Sequence, residues 1–144
     1  MKNTLLILLA FLSISSSAQK IGIEENGFFK ITGDLSKIKA DWETLLKSDK
    51  NYSELESFTI KSGIDSTLNT TFYMLTAVTR DKSLKVAGYL ELKDQSFLLI
   101  PYPYGTVICS GCENACAPFR KNGNWICSGG CKVLECNKTE TVRH

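Results

Sequence analysis

Every cysteine of this chain lies between Cys109 and Cys136, in the order Cys109-x2-Cys112-x3-Cys116-x10-Cys127-x3-Cys131-x4-Cys136. An even number of cysteines crowded into a loop-rich stretch favours a framework of three disulfides joining Cys109, Cys112, Cys116, Cys127, Cys131 and Cys136. The segment from Pro101 onward is short of large apolar side chains, so burial alone cannot order it and it needs covalent or metal staples. Spacing leaves the pairings open, with one local clue. Asn122-Gly123 is a type I′ turn signal. A hairpin around it pairs Arg120 with Trp125 and carries Cys116 toward Cys127, which singles out a Cys116–Cys127 bridge as the expectation to test.

The N-terminus points to the same oxidising chemistry. Lys2 precedes the apolar run 5–12, and Ser16-Ser17-Ala18 offers small residues for a cleavage site. Residues 1–18 therefore read as a secretory signal peptide. The run is far short of the roughly 20 residues a bilayer-spanning helix requires, and serines follow it at once. Gln19 occupies the place where a lipoprotein would carry cysteine. The expected mature protein is secreted or periplasmic or at the cell surface, with no transmembrane segment once the signal is cleaved. Disulfides persist in such compartments.

Charge excludes some partners. The chain has 17 basic and 15 acidic residues, spread without a polybasic run, so attraction to nucleic acid or anionic lipid finds no support. The partner expected is instead an unknown protein or extracellular ligand, and no cofactor is implied.

Periodicity outlines the part before Pro101. Ile21, Ile23, Phe29 and Ile31 alternate across 20–31, with Gly27 as an interruption. From Asp34, a good N-cap, Leu35, Ile38, Trp42, Leu45 and Leu46 fall on one helical face. Further strands are expected at 54–61, 71–80, 84–93 and 97–100. Residues 71–80 are apolar on both faces, as in a central strand, whereas 84–93 places Leu84, Val86, Gly88, Leu90 and Leu92 on one face. Short polar connections imply antiparallel neighbours. The expected fold class is α+β, one amphipathic helix packed on a 4–5-stranded antiparallel sheet, followed by a disulfide-rich C-terminal extension. The expected division is 1–18, 19–100 and 101–144.

This order of strand, helix and antiparallel strands resembles the cystatin-like architecture. It also looks like small exported bacterial proteins that pair such a layout with a cysteine-rich C-terminus. The inhibitory pattern Gln-x-Val-x-Gly is absent, Lys85-Val86-Ala87-Gly88 departing from it, so the resemblance implies a fold and no protease inhibition.

The cysteines and carboxylates also admit other chemistry. Cys109, Cys112, Cys127 and Cys131 could supply four thiolates to zinc, and Cys109-Ser110-Gly111-Cys112 could serve thiol redox exchange, although it lacks the strand–helix frame that lowers a thiol pKa. The only histidine is the terminal His144, a poor place for a positioned base. The carboxylate pairs Glu24-Glu25 and Glu54/Glu56 belong to solvated strand faces. The expected function is that of a non-enzymatic, exported binding or interaction protein, with a metal-binding or thiol-redox protein as the alternative. Its contact region is placed at 101–126, through Tyr102, Tyr104, Phe119 and Trp125.

Overall fold

The computed structural model describes residues 18–47, 52–101, 104–111, 116–129 and 136–141. The signal-peptide residues 1–17, Tyr102, Cys112, Cys131 and His144 lie outside them. In chain order the elements are β1 (Gln19–Glu25), β2 (Phe28–Ile31), α1 (Ser36–Leu46), β3 (Leu55–Asp65), β4 (Thr70–Thr79), β5 (Leu84–Lys93) and β6 (Ser96–Leu99). They continue with β7 (Thr106–Ser110), β8 (Ala117–Lys121), β9 (Asn124–Ser128) and β10 (Asn137–Thr141).

The molecule is mainly β. Strands hold 61% of the described residues and the one helix 10%, and the main antiparallel sheet curls into a nearly closed barrel. The α+β expectation of a helix backing a 4–5-stranded sheet is therefore corrected. Two physical causes account for it. Asn26 and Gly27 take positive φ values of 54° and 81° and break the expected first strand into a two-stranded hairpin. The cysteine-rich segment was expected as a disulfide-rich extension beyond the sheet, with one hairpin around Asn122-Gly123. It forms that hairpin (β8–β9) and two more strands, β7 and β10, which join the main sheet.

The ladder runs β3–β4–β5 and then forks, because one edge of β5 is shared. Its first half, Leu84 to Gly88, pairs with β7, and its second half, Leu90 to Lys93, pairs with β6. From β6 the ladder continues through β1 to β2, and from β7 to β10. β5 thus supports both the wall that curls toward β3 and the strands of the C-terminal segment.

The concave side holds the larger core. Ile38, Trp42 and Leu46 of α1 pack there with Ile21, Ile60, Leu75, Val86, Leu90 and Phe97. Leu35 caps the helix start, while the carboxylate of Asp34 accepts from Ser36 N at 2.9 Å, so Asp34 satisfies an early helical N–H from one residue further out than expected. Trp42 stacks on Phe58 with ring centroids 6.0 Å apart and presses on Gly88, where an added Cβ would sit 3.1 Å from the indole and 2.8 Å from Leu99 Cδ1. Phe29, Tyr73 and Phe97 form a second ring cluster at 5.2 to 5.8 Å. As the sequence indicated, β4 is apolar on both faces. Its Tyr73, Leu75 and Ala77 face this core, and Phe72 and Met74 face an outer one.

Candidate functional site

The outer face of β4, β5 and β7 is covered by the hairpin β8–β9, a separate two-stranded sheet. Its tip is the Asn122-Gly123 turn, with φ of 52° and 73°, and Arg120 pairs with Trp125 as the turn signal requires. Trp125 and Cys127, on one face of β9, pack with Phe72, Met74, Ala87, Val107 and Cys109. An isolated hairpin is marginal in water, so this one depends on what fastens it.

Among the described residues two disulfides do so. Cys109 of β7 is bonded to Cys127 of β9, and Cys116, just before β8, to Cys136, just before β10. The expected Cys116–Cys127 bridge is corrected by register: Cys127 sits opposite Pro118, and its side chain turns down onto β7. With Cys109 and Cys127 bonded to each other, these sulfurs are not available as two of four zinc thiolates. Among the described residues no cluster of three or more His, Cys, Asp or Glu side chains forms a metal-ligand set.

A carboxylate fastens the tip. Asp65, at the end of β3 and buried, accepts from four backbone amides. Thr67 N and Leu68 N of its own turn lie at 3.1 and 3.2 Å, and Asn122 N and Gly123 N of the hairpin tip at 3.0 and 2.8 Å. These bonds, Gly123 foremost, hold its carboxyl below the usual carboxylate value against the opposing effect of burial.

Between tip and sheet lies Arg120, only 5% exposed. Its guanidinium carbon stands 5.1, 4.9 and 5.0 Å from the ring centres of Tyr89, Tyr104 and Trp125, close enough for cation–π attraction. Nη2 donates to the Gly123 carbonyl. Burial pulls the Arg120 pKa down from its ordinary value, opposed by Tyr89, Tyr104, Asp65 and Glu140. The Trp125 indole N–H donates to the Tyr104 carbonyl at 2.8 Å, and Lys138 Nζ to the Trp125 carbonyl at 2.9 Å.

The sequence-selected aromatic residues are therefore mostly engaged. Trp125 is 1% exposed. Tyr104 is half-buried against Tyr89, 4.2 Å between centroids, and Phe119 meets Phe72 edge-on at 5.2 Å. The carboxylate pair Glu54/Glu56 is matched by cations. Lys39 lies 2.7 Å and Arg80 3.1 Å from Glu54, and Arg80 lies 3.8 Å from Glu56. The Lys39 contact keeps the Glu54 carboxyl low, the wrong direction for a general acid.

The residues that do reach solvent were not singled out in the sequence. Phe28 is 77% exposed, Ile64 62% and Leu68 51%. The registers β1–β6, β5–β6, β4–β5 and β3–β4 bring the turns at 26–27, 94–95 and 66–69 to one end of the barrel, and Asp65 ties the hairpin tip to that end. There Leu68 Cδ1 borders Gly123, and Phe119 borders Gly63. A signal existed in the sequence: Ile64 and Leu68 are isolated apolar residues within the polar run 61–71.

No helix of the described residues is long and apolar enough to cross a membrane. Comparison with family models, curated proteins and solved structures finds no match to this chain.

Proposed function

We propose that this protein is an exported, non-enzymatic interaction module of the periplasm or cell surface, and that it makes contact through the turn-bearing end of the barrel. The observation that carries the reading is the placing of Phe28, Ile64 and Leu68, all strongly exposed, at that one end. Single exposed apolar residues are ordinary, but three gathered at one end favour a contact surface. The same end is braced by a buried carboxylate. Asp65 joins two of its turns, and the disulfide between Cys109 and Cys127 anchors the hairpin behind one of them. A braced surface loses little conformational freedom on binding. Part of the expected region 101–126 belongs to this surface through Phe119 and the tip at 122–123.

Site-specific photo-crosslinking tests the reading. A crosslinker at position 64 or 68, in the cells that make the protein, captures one defined species, and a crosslinker at exposed Thr59 in the middle of β3 does not. Equal capture from all three positions removes the proposed surface.

A further inference from the structure

The chain contains two Asn-Gly turns of one backbone type, and the fold treats them differently. Asn26-Gly27 joins β1 to β2, and Asn122-Gly123 joins β8 to β9, all four residues at positive φ. At 122–123 both amides donate to the Asp65 carboxylate, Gly123 N at 2.8 Å, and the Gly123 carbonyl accepts from Arg120. At 26–27 no described residue accepts a hydrogen bond from Gly27 N–H, and the space beside Gly27 is open.

We propose that Asn26 is a site of spontaneous deamidation and that Asp65 protects Asn122 from the same reaction. In this chemistry the glycine amide nitrogen gives its proton to solvent and attacks the asparagine side-chain Cγ. The new C–N bond closes a five-membered succinimide as the Cγ–NH2 bond breaks, and ammonia leaves. Water then adds to one of the two ring carbonyls and opens the ring to aspartate or isoaspartate. No oxidant, reductant or metal takes part. Glycine after asparagine favours the attack because no Cβ obstructs it and the backbone turns freely.

Asp65 opposes this sequence at Gly123 in two ways. Its oxygen holds the N–H, so the nitrogen cannot swing toward the Asn122 side chain. Its negative charge, one hydrogen bond away, also disfavours loss of the amide proton. Gly27 meets neither obstacle. Conversion at Asn26 sets a new carboxylate between Glu25 and the exposed Phe28, or, as isoaspartate, adds a backbone atom to the turn and disturbs the β1–β2 register.

Intact protein is held at mildly alkaline pH and sampled for peptide mapping, reading the mass gain that replacement of NH2 by OH brings. Asn26 is expected to convert at least about tenfold faster than Asn122, the factor one charge-assisted hydrogen bond represents. Equal rates, or a faster Asn122, overturn the proposal. In denaturant the two sites should converge, and a gap that persists there assigns the difference to neighbouring sequence and overturns the role of Asp65. Asp65→Asn, confirmed folded by circular dichroism, should raise the Asn122 rate toward that of Asn26. A folded variant in which Asn122 stays slow also overturns it. Should that variant not fold, the native and denatured comparison decides alone.

Discussion

The two faces of β4 and β5 are stabilised by different means. The concave face is covered by α1 and the curled sheet, and its buried members are apolar side chains meeting one another: Ile21, Trp42, Leu75, Val86, Leu90 and Phe97. The outer face is covered by a single hairpin with far less apolar area. Two disulfides, a guanidinium among three rings and a carboxylate receiving four amides supply the remainder. Where a segment is too short to bury much, directional and covalent contacts replace burial, and removing any of them is felt locally rather than globally.

The largest test of this contrast is Trp42→Ala. It removes the indole stacked on Phe58 and over Gly88 and should cost about 3–5 kcal/mol of global stability, lowering protection from hydrogen exchange on β5 and β8–β9 alike. Loss confined to α1 would break the comparison. Next comes Cys109→Ser with Cys127→Ser, which opens a loop of 18 residues and should cost about 3 kcal/mol. Exchange should rise in β8–β9 first and leave β4–β5 protected. Arg120→Ala should be milder, about 0.5–2 kcal/mol by loss of cation–π contacts, and Arg120→Lys should recover only part of it, because a lysine cannot lie flat among three rings.

The smallest effect is a pH dependence. Asp65 has its pKa lowered from 3.8 in the folded state, so its contribution is complete above that value and is lost as pH falls through the lower folded value. Asp65→Asn should lower the melting temperature at neutral pH, with the gap to the parent protein narrowing as pH drops below 3.8. A gap constant with pH would show that the carboxylate charge is not what holds the tip.

How far the sequence revealed this design depended on whether the signal was local. The face of α1, the two-faced β4 and the Asn122-Gly123 hairpin with its Arg120–Trp125 pairing were all legible, since period and turn chemistry are written within a few residues. β5, expected to be apolar on one face, also packs Ala87 and Tyr89 under the distant hairpin. β10 was not legible, because Asn-Lys-Thr-Glu-Thr carries no apolar alternation and becomes a strand only by pairing with β7. Asp65 gave no clue, since its hairpin partners lie 57 and 58 residues away. The disulfide partners followed register, which spacing does not encode. The exposed Ile64 and Leu68 passed unnoticed because isolated apolar residues in a polar stretch acquire meaning only when several turns meet at one end.

The pairing of β1 with β6 has a kinetic consequence. Gln19 lies opposite Leu99, so the first strand has no ladder partner on that side until about two thirds of the sequence has emerged. Its other neighbour, β2, gives only a short hairpin. Such long-range closure slows folding, and the barrel wall stays open during synthesis, a chain state suited to being threaded through a narrow passage before it commits to its final shape.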